Sequence, residues 1–215
     1  MARKPTKAMK RTGEIEINFP WYIWAIGILV IIGIVFWLIF SSTGAFVYRE
    51  MAFTKESYGN GIIIYHYSYF CRGDGVSRCN VFFHVDPRTN NVSYEGDNIE
   101  FEGKQVKLSI DASGLSNCSD SRAGVGALSQ WIGINGFNIT VGTPDLEQAR
   151  RYNASVINCD THPQDLIIML QASSERSRIY QKGRCHVVEI ANCQVFDGVE
   201  KFMLETMAQA RARSI

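Results

Sequence analysis

The sequence predicts an extracytoplasmic α/β (α+β) domain held by a single N-terminal transmembrane helix. Its first half reads as β-rich, strands and helices alternate in its second half, and disulfides staple it. Three observations predict this. An uncharged run, PWYIWAIGILVIIGIVFWLIF, occupies residues 20–40. All six cysteines follow that run. The apolar pattern changes near Gly114 from short β-branched and aromatic segments to strands interleaved with helical periods.

The elements follow in order. Residues 1–18 form a basic tail in which Arg3, Lys4, Lys7, Lys10 and Arg11 stand against Glu14 and Glu16. Residues 19–40 are read as the anchor, because a helix rising about 1.5 Å per residue crosses a hydrocarbon core roughly 30 Å thick in about 20 residues. Trp21, Tyr22 and Trp24 at one end, with Phe36, Trp37 and Phe40 at the other, match interfacial aromatic belts. A cleaved signal peptide is the rival, supported by the small residues SSTGA, but its apolar region is normally about 7–15 residues. The basic tail then places the N-terminus in the cytoplasm and the C-terminal domain outside. The anchor contains no ionisable residue and no G-x-x-x-G face, and reads as a passive tether.

Residues 41–57 read as a juxtamembrane connection and 58–215 as the domain, divided into 58–112 and 113–215. GIIIYHYSYF, CNVFFHVD, VSYEG, IEFEG and KQVKLSIDA read as strands. SDSRAGVGALSQWIGI is expected to be a helix, FNITV a strand, and TPDLEQARRY a helix capped by Thr143 with Pro144 at its first position. ASVINC, DLIIML and CHVVEIA read as buried strands. A final helix begins near Gln194, with Val195, Val199, Phe202, Met203 and Met207 as its apolar stripe.

Cys71, Cys79, Cys118, Cys159, Cys185 and Cys193 make an even number without a C-x-x-C pair, which favours disulfides in an oxidising compartment over zinc or redox chemistry. Cys71–Cys79 closes a seven-residue loop carrying Arg72-Gly73-Asp74. Among the others, Cys159 with Cys185 or Cys193 is favoured, and Cys118–Cys159 stays open. Four N-x-[ST] sequons, at Asn91, Asn117, Asn138 and Asn153, are glycosylation candidates.

If Cys71 and Cys79 are directly opposed, every opposed pair in that ladder sums to 150. One face then carries Tyr65, Tyr67, Tyr69, Val81, Phe83 and Val85 as a core wall, and the other sets His66 opposite His84, a possible metal-binding or pH-sensitive pair with Asp86 nearby. Arg72-Gly73-Asp74 at the tip of this closed loop resembles the integrin-binding arrangement of disintegrin-like loops, and Arg72, Asp74 and Arg78 offer a generic surface contact as the alternative. Glycine and aspartate are also ordinary turn formers, so a structural turn is the simpler reading.

Enzyme signatures are missing from the sequence: G-x-S-x-G, the P-loop, H-E-x-x-H and a helix-opening G-x-G-x-x-G do not occur. His162 and His186 with Asp160, Asp165 or Glu189 form a weak acid/base set, and SRAGVGALSQ a weak anion cradle. Near-balanced charge gives no reason to expect nucleic acid. The expectation is a non-catalytic interaction or structural protein of the cell envelope, without a cofactor. Its partners would be the lipid bilayer and another envelope protein, met through the loop or the final helix with Arg211 and Arg213. A ligand- or metal-binding domain using His66 and His84 is the alternative, and an envelope enzyme stands third.

Overall fold

The computed structural model describes residues 21–42, 44–71, 76–97, 99–101 and 103–213, with the backbone alone for 38–42. The chain divides into two units, Met1–Thr43 and Gly44–Ile215. In the first, Trp21–Ser42 form helix α1. Its described side chains are almost all exposed. Among the described residues, no helix is long and apolar enough to cross a membrane. Those described in full, 21–37, rise only about 25 Å. The basic tail 1–18 and the loop residues Arg72 and Asp74 lie outside the described residues.

The second unit is mixed α/β with two sheets. Strands β1 (Ala45–Tyr48), β2 (Met51–Tyr58), β3 (Ile62–Phe70) and β4 (Arg78–Phe83) form an antiparallel sheet in sequential order. The stretch expected to be a connection, 41–57, therefore contains β1 and β2. Its alternation Met51, Phe53 with exposed Ala52, Thr54 is a half-buried strand pattern masked by the charges of Lys55 and Glu56. Strands β5 (Ser93–Glu95), β6 (Gln105–Ile110), β7 (Asn138–Thr143), β8 (Ser155–Val156), β9 (Ile167–Ala172), β10 (Arg178–Lys182) and β11 (Cys185–Ile190) form the second sheet, ordered β5-β10-β11-β9-β6-β7-β8. Every neighbouring pair in it is parallel except β10 with β11. Three helices complete the unit: α2 (Ser121–Ile134), α3 (Leu146–Tyr152) and α4 (Val195–Arg213). The cap of α3 is Asp145, whose carboxylate accepts from the Gln148 N–H, in place of the expected Thr143. IEFEG forms no strand among its described residues, and β10 was not foreseen.

Helix α4 lies between the two sheets. Against the larger sheet, Phe202 meets His186, and Gly198 lies so close to Val188 that a Cβ there would stand 3.0 Å from it. Toward the smaller sheet, Glu200 and Glu205 take hydrogen bonds from the end of β4 and from the β1–β2 turn. A helix covered on both sides buries more than one stripe. Glu200, Lys201, Glu205 and Thr206 are buried together with Val199, Phe202, Met203 and Met207. The main core joins the two sheets through α4 and α2, and a smaller cluster around Ile157, Ile167 and Val187 fills the other face of the large sheet.

Three disulfides hold the unit. Cys71–Cys79 closes the β3–β4 loop, Cys118–Cys193 joins the segments leading into α2 and α4, and Cys159–Cys185 ties the chain after β8 to the start of β11. The Cys71–Cys79 bond does not set the register as expected. Opposed residues sum to 148, with Tyr65 facing Phe83, Tyr67 facing Val81 and Tyr69 facing Cys79. The disulfide joins diagonal neighbours, and the Cys71 N–H donates to Ser77 O instead. A two-residue offset preserves the faces, so Tyr65, Tyr67, Val81 and Phe83 are buried as expected. It does remove the direct opposition of the two histidines, because His66 faces Phe82.

Candidate functional site

A cleft is built where α4 ends. Three elements converge there. Strand β3 brings Tyr67, Tyr69 and Phe70; the end of α2 and the turn after it bring Trp131, Ile132, Asn135 and Phe137; the last turns of α4 bring Met207, Ala210, Arg211 and Arg213. Phe101 closes one side, edge-on to Trp131 at 5.9 Å and tilted against Phe137 at 5.0 Å. The cleft holds about 670 Å³, within the roughly 300–1,000 Å³ of small-molecule sites.

Its polar groups are few and mostly donors. The Asn135 amide donates to Tyr69 Oη and to Trp131 O, both at 2.8 Å, which fixes the phenol in place. Burial pushes the Tyr69 phenol above its ordinary pKa, so it stays protonated. Trp131 is 5% exposed, and its buried Nε1–H makes no standard hydrogen bond among the described residues. Arg211 Nη1 reaches Tyr67 Oη at 3.5 Å, and Arg213 donates to Ile99 O at 3.1 Å. Among the described residues, the cleft has no carboxylate or histidine, and its one cysteine, Cys71, is disulfide-bonded. Stacked aromatics, a buried indole N–H and a guanidinium rim suit an apolar group that carries hydrogen-bond acceptors.

The residues singled out from sequence do not converge here, except those of the final helix. His66 Nε2 lies 3.0 Å from Asn80 Oδ1, and its ring stacks on Phe82. His84 lies beyond β4, stacked on Phe196, with Nδ1 2.8 Å from Glu200 Oε1. The hydrogen bond to Glu200 raises the His84 pKa against partial desolvation. His66 and His84 are therefore not direct cross-strand partners, and each has its own neighbours. Asp86 is held by Arg88, with Nη2 to Oδ2 at 2.6 Å. No group of three or more metal-binding side chains occurs among the described residues. Arg78 packs its guanidinium over Phe70, 5.7 Å from the ring centroid.

The weak acid/base set is dispersed into ion pairs: Asp160 with Lys182 at 2.6 Å, Asp165 with Lys107 at 2.7 Å and Glu189 with Arg178 at 2.5 Å. His162 hydrogen-bonds Thr161, and His186 is buried beside Phe202. The glycine fragment is also spoken for. Gly124 lies inside α2, where a Cβ would collide with Val195 at 2.7 Å, so its smallness serves helix packing. All four sequon asparagines, Asn91, Asn117, Asn138 and Asn153, are exposed.

Sequence reasoning missed Trp131, Asn135, Phe101 and Phe137 as cleft residues. The one available signal was their density: four aromatic or amide side chains within residues 131–137 and at 101, too common a pattern to select alone. No protein-family model matches the chain, and neither the curated proteins nor the solved structures include one that matches it.

Proposed function

We propose that this chain is a membrane-anchored, non-catalytic interaction protein, its C-terminal domain held outside the cell membrane to receive a partner in the aromatic cleft. The observation that carries the binding reading is the cleft itself: an aromatic floor, a buried indole N–H and a guanidinium rim, with no carboxylate or histidine among the described lining residues. The anchor rests on the uncharged run 20–40, which continues to Phe40 with aromatic residues at both ends. Three disulfides are consistent with an oxidising exterior. Four exposed sequons are consistent with glycosylation where the host supplies it.

The test is crosslinking of the full chain in its own membrane, followed by gentle extraction and native mass measurement. A stoichiometric partner, lost when Ala210→Trp fills the cleft mouth but retained in an Ala52→Ser control on the outer sheet face, supports the reading. A lone monomer in both samples refutes it.

A further inference from the structure

The β2–β3 hairpin ends in an exposed apolar tip. From Ser57 to Tyr65 the sequence SYGNGIIIY carries no charge. Tyr58 is 50% exposed, Ile62 53% and Ile63 36%. Tyr58 and Ile62 are direct partners on one face, while Ile63 faces Ser57 on the other, so each face presents an isoleucine, and the Tyr58 hydroxyl donates to the Glu56 carboxylate at 2.8 Å. Gly61 takes a positive φ of 78° and Asn60 one of 69°, giving a tight turn with no bulky side chain at its apex. Lys55 and Glu56 mark where charge resumes below the tip.

The direction of this tip identifies what it meets. Ala45, where the first strand begins, is paired with Thr54, and the Lys55 N–H donates to Gly44 O. Strand β2 continues four residues past that point to Tyr58, about 13 Å at roughly 3.3 Å per residue. The tip thus projects from the same end of the sheet at which the chain enters. Along the sequence, Ala45 follows Phe40, the last residue of the apolar run, by five residues, at most about 18 Å of extended chain.

We infer that the tip, through Tyr58, Ile62 and Ile63, lies in the interfacial layer of the bilayer that holds the anchor, making a second membrane contact that restricts how the domain is oriented. The inference rests on the anchor reading proposed above. A tyrosine and two isoleucines suit the headgroup–acyl boundary, where amphipathic surfaces sit about 5–10 Å deep. Lys55 below them is placed to extend its ammonium toward anionic headgroups.

The test uses the full chain. All six native cysteines are disulfide-bonded, so Ile62→Cys offers one thiol for an environment-sensitive nitrobenzoxadiazole label, and Glu175→Cys offers an exposed control. Both are reconstituted into phosphatidylcholine–phosphatidylglycerol vesicles with and without shallow doxyl-labelled lipid. The expected result is a blue-shifted Ile62→Cys label that loses at least half its emission to the doxyl lipid, while the control keeps its own. An unquenched label in a chain that resists alkaline carbonate overturns the tip contact alone. A blue shift without quenching places protein on the tip and overturns it too. Release of the chain by carbonate removes the anchor reading and the inference with it.

Discussion

His186 provides the sharpest test of how the core is built. Its side chain points from β11 onto Phe202 of α4; the residue is 1% exposed, and Nδ1 has no hydrogen-bond partner among the described residues. A charged imidazolium there would lose its hydration without gaining an acceptor. Burial accordingly lowers its pKa from the ordinary 6.5 to about 4. A depressed folded pKa means that the neutral ring's contribution is complete above pH 6.5 and is lost as pH falls through about 4. At about 1.4 kcal/mol per pH unit, that contribution is roughly 3 kcal/mol at neutral pH. His186→Leu removes the titration while keeping an apolar side chain of similar bulk. The assay is urea unfolding followed by near-ultraviolet circular dichroism, from about pH 7 to about pH 4. Other carboxylates titrate in this range, so the informative quantity is the difference between native chain and variant. With a urea slope of about 2 kcal/mol per M, the native midpoint falls about 1.5 M further than that of His186→Leu. Parallel profiles would mean that the ring is hydrated or paired, and the packing of β11 on α4 described above would be wrong.

The other predictions concern the joints of the domain. Glu200 accepts from the His84 N–H and Nδ1 and from the Val85 N–H, so Glu200→Ala strands three donors and lowers stability by on the order of 3 kcal/mol, read as a fall in urea midpoint. The His84 contribution has the opposite pH sign to His186: its raised pKa gives stability below 6.5 that is lost as pH rises through the folded value. Since that side chain is 44% exposed, the effect stays under about 1 kcal/mol, and Glu200→Gln should abolish it. Sequence separations of 75, 26 and 8 rank the disulfides by loop entropy, with losses of about 4.5, 3.5 and 2.5 kcal/mol for Cys118–Cys193, Cys159–Cys185 and Cys71–Cys79. Pairwise serine variants compared by thermal unfolding should reproduce that order. Arg49 and Glu50 both have positive φ, so Glu50→Gly should raise stability by up to about 1 kcal/mol, seen as a higher melting temperature. In a host with N-glycosylation, intact mass should show a ladder that shortens by one step for each of Asn91→Gln, Asn117→Gln, Asn138→Gln and Asn153→Gln.

What was legible in the sequence was whatever local periodicity controls. The faces of β3 and β4 were correct because the alternation Tyr65, Tyr67 and Val81, Phe83 is internal to each strand. Their register was not, since a cystine tolerates diagonal as well as direct neighbours, and that two-residue freedom removed the direct opposition of His66 and His84. The strands β1 and β2 were hidden because the projecting half of β2 has no core to alternate against: Lys55, Ser57 and Tyr58 are all exposed. Thr143 and Pro144 made a plausible cap and first turn, but Asp145 competes more strongly for the Gln148 N–H. The cleft was the least legible feature. Its walls come from residues 67–71, 101, 131–137 and 206–213, and nothing local reports which distant segments a chain brings together.

The two sheets also explain why an ionic row occurs inside α4. A helix between two sheets has no solvent face along its middle, yet Glu200, Lys201 and Glu205 occupy that stretch. Each finds an opposite charge or aligned donors: Glu200 faces His84 and two N–H groups, and Glu205 joins Lys201 at 3.1 Å and Arg49 from the β1–β2 turn. An all-apolar helix would slide against an aromatic sheet face at little cost, because such packing is weakly directional. Charged hydrogen bonds at both ends of the smaller sheet instead fix both the height and the rotation of α4. That in turn sets where its last turn stops, and therefore where Met207, Ala210 and Arg211 stand relative to Tyr67 and Tyr69. On this argument the buried charges matter less for total stability than for holding the cleft's third wall in register. Apolar substitution at Lys201 and Glu205 together should then disturb the cleft more than the melting temperature.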